Sequence, residues 1–168
     1  MNDAKLEVKV DGGDLTLIRA FHAPRALVFQ AYSSCEHLKN WWGPRMWPMV
    51  ECSLDFRVGG AWHYCLRGPN EGDASWGKAV YEEIVAPERL AHWDYFSDEE
   101  GNINTDLPAV LSKIKFAESG GMTVLTMRAQ YPSPAELQTV LDMGMIPGIS
   151  ETLDRLEEYL IAVNDTKA

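Results

Sequence analysis

The feature that most restricts the fold lies between Met49 and Leu160. Short stretches of two-residue alternation, parted by glycine- and proline-bearing turns, give way to one long stretch spaced by three and four. Alternation sets successive side chains on opposite faces of a strand, and three-four spacing lines them up on one stripe of a helix. The predicted strands are Leu15–Phe21, Met49–Leu54, Ala61–Arg67, Trp76–Val85, Leu90–Phe96, Val110–Glu118 and Met122–Tyr131. Residues 1–12 read as a polar lead-in or a short edge strand.

Two short helices interrupt the series after the first strand. RALVFQAY follows Pro24, and Ser33 stands three residues before Glu36 in capping-box spacing. At the other end, Ser133-Pro134-Ala135-Glu136 opens a helix whose apolar stripe runs Leu137, Leu141, Met145, Ile149, Leu153, Leu156 and Leu160. Pro147 lies inside that stripe and predicts a kink there. Consecutive strands joined by short turns argue for an α+β antiparallel sheet. A sheet of that length curls, and a long amphipathic helix across its concave face encloses a hollow.

Composition narrows the partners. The 168 residues carry a net charge of −10, which disfavours nucleic acid and anionic membrane surfaces. No apolar run approaches the roughly 18 residues of a membrane span, and the first ten residues lack the apolar core of a secretory signal. Cys35, Cys52 and Cys65 are odd in number and far apart, so they read as free thiols of a reducing, cytoplasmic setting. The pairs His63/Cys65 and His92/Asp94 could bind a metal or exchange protons, but no further ligand is fixed by spacing, so no metal site is predicted. No phosphate-cradling or dinucleotide fingerprint occurs, and no cofactor is expected. Glu51, Tyr81, Glu83 and Arg128 read as solvated outer-face residues.

Several segments look familiar together: LIRAFHAPRALVFQAY, NWWGP, FRVGGAWHYCLRGPNEG, WGKAVYEEIVAPERLAHWDYFSDEEGN and GMIPGISETLDRLEEYL. The chain resembles the START-like (SRPBCC, Bet v 1-like) superfamily. Within it, the chain resembles the family named after the activator of Hsp90 ATPase. The resemblance implies a helix-grip fold over residues 13–163 as a single domain, with 164–168 as a C-terminal tail. It departs from the family at Ile149, where relatives often carry Trp after the last-helix glycine, so the cavity wall is smaller there.

That architecture implies a ligand cavity walled by the strand aromatics Trp62, Tyr64, Trp76, Trp93 and Tyr95, with Met127, Met145 and Ile149 as adaptable walls. Trp41 and Trp42 fall near its mouth, to gate entry or to plug the core. His92 and Asp94 compete with Trp93 and Tyr95 for the inward face, and only one set can win. The first expectation is binding of a small hydrophobic or aromatic molecule, with a polyketide-like, lipid-like or flavonoid-like compound as the type. The alternatives are a cyclase-, dehydratase- or hydrolase-like enzyme using His92 and Asp94 in the same cavity, and a co-chaperone or other protein-interaction domain. A homodimer is compatible with each.

Overall fold

The computed structural model describes residues 6–166. The first five residues of the lead-in and the last two of the tail lie outside the described residues. Eight strands form one antiparallel sheet: β1 (Glu7–Asp11), β2 (Asp14–Phe21), β3 (Met49–Leu54), β4 (Ala61–Arg67), β5 (Ala74–Val85), β6 (Arg89–Ser97), β7 (Val110–Ser119) and β8 (Met122–Gln130). Their order across the sheet is β1-β2-β8-β7-β6-β5-β4-β3. Four helices complete the described residues: α1 (Arg25–Ala31), α2 (Cys35–Leu38), α3 (Pro134–Asp142) and α4 (Met145–Thr166).

The alternation of the sequence becomes the two faces of the sheet. On β2 the buried residues are Leu15, Leu17, Arg19 and Phe21, every second position. On β7 they are Ser112, Ile114 and Phe116. The stripe of α4 closes over this face: Leu153, Leu156 and Leu160 are 2%, 0% and 0% exposed. They join Phe21, Val28, Trp41 and Phe116 in one apolar cluster. A smaller cluster of Leu15, Leu17, Ala129 and Leu137 seats α3.

Four local expectations change. The helical stripe breaks at Gly144, not at Pro147. Gly144 has φ +86°, a left-handed backbone that ends α3 cheaply only because it bears no Cβ. Pro147 instead occupies the first turn of α4, where a missing N–H breaks no helical bond. The cap of α2 is Ser34, whose hydroxyl accepts from the His37 amide, while Ser33 Oγ donates to the Gln30 carbonyl. The tail predicted at 164–168 is helical as far as Thr166. Finally, Cys35 and Cys52 are not free thiols. They form a disulfide that ties α2 to the edge strand β3, and only Cys65 is free and buried. The two cysteines stand 17 positions apart in the sequence, and only the packing of α2 on the sheet brings them together.

Candidate functional site

Between the sheet and the helices lies a cavity of ≈ 260 Å³. Its floor is the inward face of the central strands, where Ile114, Leu125 and Met127 supply apolar surface. Its roof is α4, through Met145, Ile149 and Leu153. Trp42, Trp62 and Tyr64 make one wall. Their rings pack edge-to-face or tilted, Trp42 on Trp62 at 4.8 Å and Trp62 on Tyr64 at 4.5 Å between centroids. Gly77 makes room for this wall, since a Cβ there would lie 2.5 Å from the Tyr64 phenol.

The position of Trp42 depends on α4. Arg155 donates from its guanidinium to the carbonyls of Asn40, Trp42 and Gly43 at 2.8–3.3 Å. Burial, with Arg45 nearby, holds its pKa below the ordinary arginine value. Arg45 pairs in turn with Glu158, and its amide donates to Glu151. The loop carrying the tryptophans is therefore buttressed from the C-terminal helix.

One polar corner of the cavity comes from three adjacent strands. Register sets His92 of β6 opposite Tyr81 of β5 and Ser112 of β7. Nδ1 of His92 lies 2.6 Å from one carboxylate oxygen of Asp94, and Ser112 Oγ donates to the other at 2.6 Å. Burial alone lowers the pKa of the His92 imidazole. The charge of Asp94 and its hydrogen bond outweigh that, so the pKa lies above the ordinary histidine value. Tyr81 meets His92 edge-on at 5.7 Å between centroids. Burial first, then the charge of Asp94, raises the Tyr81 pKa, which keeps the phenol neutral. Tyr131, at the same cavity, is pushed up to about 12 by the same two causes.

The inward face of β6 is thus the one with Leu90, His92 and Asp94, which corrects the expectation for Trp93. Trp93 is 37% exposed and stands on the outer face opposite Val80 and Leu111. The aromatic ring loses because Leu90 shares the parity of His92, and because Ser112 and Asp94 satisfy the polar groups that turn inward. Tyr81 is likewise no outer-face residue, being 3% exposed at the cavity wall. A register shift between Tyr81 and Glu83 marks a bulge beside it, which alternation in one strand does not reveal. Glu51 stays exposed, while Glu83 and Arg128 pair with Arg89 and Asp14 at the surface.

Trp41 does not reach the cavity. It is wholly buried, and its indole N–H donates to the Ala31 carbonyl at the end of α1, 3.1 Å away. Trp76 and Tyr95 border the cavity, yet alternation sets them opposite the inward Gly77 and Asp94. The Trp76 ring stacks on His63 at 5.0 Å on the outer face. There the Asp98–Asn102 turn also lies, with Asp98 accepting from His63 and Gly101 from Lys78. The polar cavity residues that sequence reasoning missed include Ser112 and Arg19. Arg19 is 2% exposed and pairs with Asp154 of α4 at 2.7 Å. Its place among Leu15, Leu17 and Phe21 in strict alternation was the available signal. Among the described residues no cluster of three or more potential metal ligands occurs, and no helix is long and apolar enough to cross a membrane.

Comparison with known proteins agrees with this architecture. The family model described as activator of Hsp90 ATPase homolog 1-like protein matches residues 22–161. No curated protein sequence matches the chain. Among solved structures, a protein from Mycobacterium smegmatis is 33% identical, with 93% of this chain and 97% of that one covered and a TM-score of 0.85. A protein from Arthrobacter aurescens is 26% identical over 93% and 91% of the two chains, with a TM-score of 0.86. A Silicibacter pomeroyi protein is alike in fold, at 17% identity over 89% and 98% of the chains and a TM-score of 0.70.

Proposed function

The chain belongs to the activator of Hsp90 ATPase homolog 1-like family, and from that premise we propose that it binds a small, largely apolar molecule between the sheet and α4. The observation that carries this reading is the cavity itself. It occupies ≈ 260 Å³ where an ordinary core has side chains packed to crystal density. Its walls combine rigid rings with the methionines Met127 and Met145, and the polar corner around His92 supplies orientation. Such a site holds its guest chiefly by apolar burial, with hydrogen bonds setting the pose.

The test is titration with the neutral fluorescent probe N-phenyl-1-naphthylamine, followed by thermal unfolding with and without it. A probe present at 100 times its Kd stabilises the fold by ~2.7 kcal/mol. At this chain length that raises the midpoint by roughly 5–10 °C. No probe fluorescence and no midpoint shift, for this and a panel of apolar compounds, overturns the reading. Binding of an Hsp90-type ATPase under the same conditions would favour the co-chaperone alternative instead.

A further inference from the structure

The polar corner of the cavity is arranged for more than orientation. We infer that His92 and Tyr81 form a proton-transfer centre that enolises an apolar ketone held in the cavity, with Asp94 and Ser112 as positioning residues. This inference rests on the binding reading above.

Three observations carry it. First, Ser112, Asp94 and His92 form a directed chain, each link 2.6 Å long. It takes up both carboxylate oxygens of Asp94 and fixes Nδ1 as the nitrogen that carries a proton. Second, Nε2 of His92 has no protein partner among the described residues. It is also absent from the sealed, unpartnered polar atoms, which are Arg19 Nε, Trp42 Nε1, Trp62 Nε1 and Glu157 Oε2. The His92 side chain keeps 11% of its surface, and it keeps it at the cavity wall. A histidine serving only the core would have both nitrogens satisfied. Third, the Tyr81 hydroxyl, next to His92 across the strand pair, also lacks a protein partner among the described residues.

A base oriented by a carboxylate, beside an unengaged neutral phenol in an apolar chamber, suits proton transfer at carbon. It does not suit nucleophilic catalysis. Ser112 donates to Asp94 rather than to His92, and Cys65 pairs in register with the outward Trp76. In the step, Nε2 takes a proton from the carbon next to the carbonyl. The C–H electron pair becomes the C=C bond, and the carbonyl π pair moves onto oxygen, where the Tyr81 O–H donates to it. The imidazolium is held by Asp94 and returns the proton in the reverse direction. Atoms and charge balance without a co-reactant.

The groups facing His92 are Asp94 on its own strand, Tyr81, Ser112, and more distantly Tyr64, Tyr131 and Arg19. Arg19 is neutralised by Asp154, and α4 presents only Met145, Ile149 and Leu153 to the cavity. Burial and Asp94 therefore set the titration of His92, and the charge and hydrogen bond of Asp94 together decide its upward direction.

The experiment follows deuterium uptake at the C2 methylene of 1-tetralone by NMR in D₂O, with binding read separately from tryptophan fluorescence. The wild-type protein is expected to exceed equimolar free imidazole by at least ~100-fold, the scale of positioned acid–base catalysis. His92→Gln should bind 1-tetralone and fall to background. Tyr81→Phe should lose roughly tenfold with an unmoved pH profile. Asp94→Asn should slow uptake and move the profile to lower pH, which a merely structural role would not do. Ketone bound without uptake above imidazole overturns the inference, as does uptake retained by His92→Gln. Naphthylamine binding without any binding of 1-tetralone overturns it alone, while failure of both probes overturns the binding reading as well.

Discussion

Replacing Trp41 by alanine separates the two roles that its neighbourhood allows. The side chain is fully buried, and its ring packs edge-to-face on Tyr32 at 4.9 Å and on Trp42 at 5.4 Å. Truncating a buried tryptophan costs about 3–5 kcal/mol. Here the upper end is expected, because the Ala31 carbonyl also loses its donor, and an unpaired buried carbonyl costs about 1–3 kcal/mol by itself. At this chain length each kcal/mol lowers the midpoint by roughly 2–4 °C, so Trp41→Ala should melt roughly 10–20 °C below wild type. Trp42→Ala removes a cavity wall that is only partly buried. It should be milder in stability and should weaken naphthylamine binding more than Trp41→Ala does. The assay is urea unfolding followed by far-ultraviolet circular dichroism, paired with probe titration of each folded variant. The assignment of Trp41 as a plug is refuted if Trp41→Ala costs less than about 1 kcal/mol, or if it abolishes probe binding while Trp42→Ala binds like wild type.

Reducing the Cys35–Cys52 disulfide should cost about 3 kcal/mol for a loop of 17 residues; an unchanged urea midpoint under a phosphine reductant contradicts this. Gly144→Ala should cost about 1–2 kcal/mol, because its φ of +86° strains any residue with a Cβ. Pro147→Ala should stay within about 0.5 kcal/mol of wild type, and a larger change would return the helix break to Pro147. The pairing of His92 with Asp94 raises the His92 pKa in the folded state, so folding takes up protons. That stability is fully present below the unfolded histidine value of about 6.5 and is lost as pH rises through the folded value. Asp94→Asn leaves burial as the main influence, so its stability should fall relative to wild type as pH drops from 8.5 to 5.5. Parallel urea midpoints for the two proteins across that range would show that the pair carries no linkage.

The resemblance carried by NWWGP, by the GG-aromatic strand and by the closing helix agreed with the family and with the fold. Neither the ligand nor any reaction was legible there, since those residues build walls rather than chemistry. At the site, legibility followed the clarity of alternation. β7 and β8 alternate cleanly, so their spacing alone sets Ser112, Ile114 and Phe116 on one face of β7 and Leu125, Met127 and Ala129 on one face of β8. In β6 both faces carry aromatic or titratable groups, so the strand alone could not choose between Trp93 and His92. Arg19 escaped notice because a charged residue in an apolar alternation reads as an outward one, and its partner Asp154 lies 135 residues away.

Sequence by itself determined the kinds and order of the elements from β2 to β8 and the helical character of the chain after them, because alternation, three-four spacing, glycine turns and caps act within a few residues of one another. It also determined the apolar stripe that α4 lays on the sheet. Tertiary structure alone decided which face of β6 turns inward, that Cys35 meets Cys52, that Trp41 fills the core while Trp42 lines the cavity, and that Ser112 and Asp94 hold His92. Each of those outcomes is a contact between residues on different elements. Strand register, a bulge and helix docking set such contacts together, and none of these is written in a single local stretch of chain.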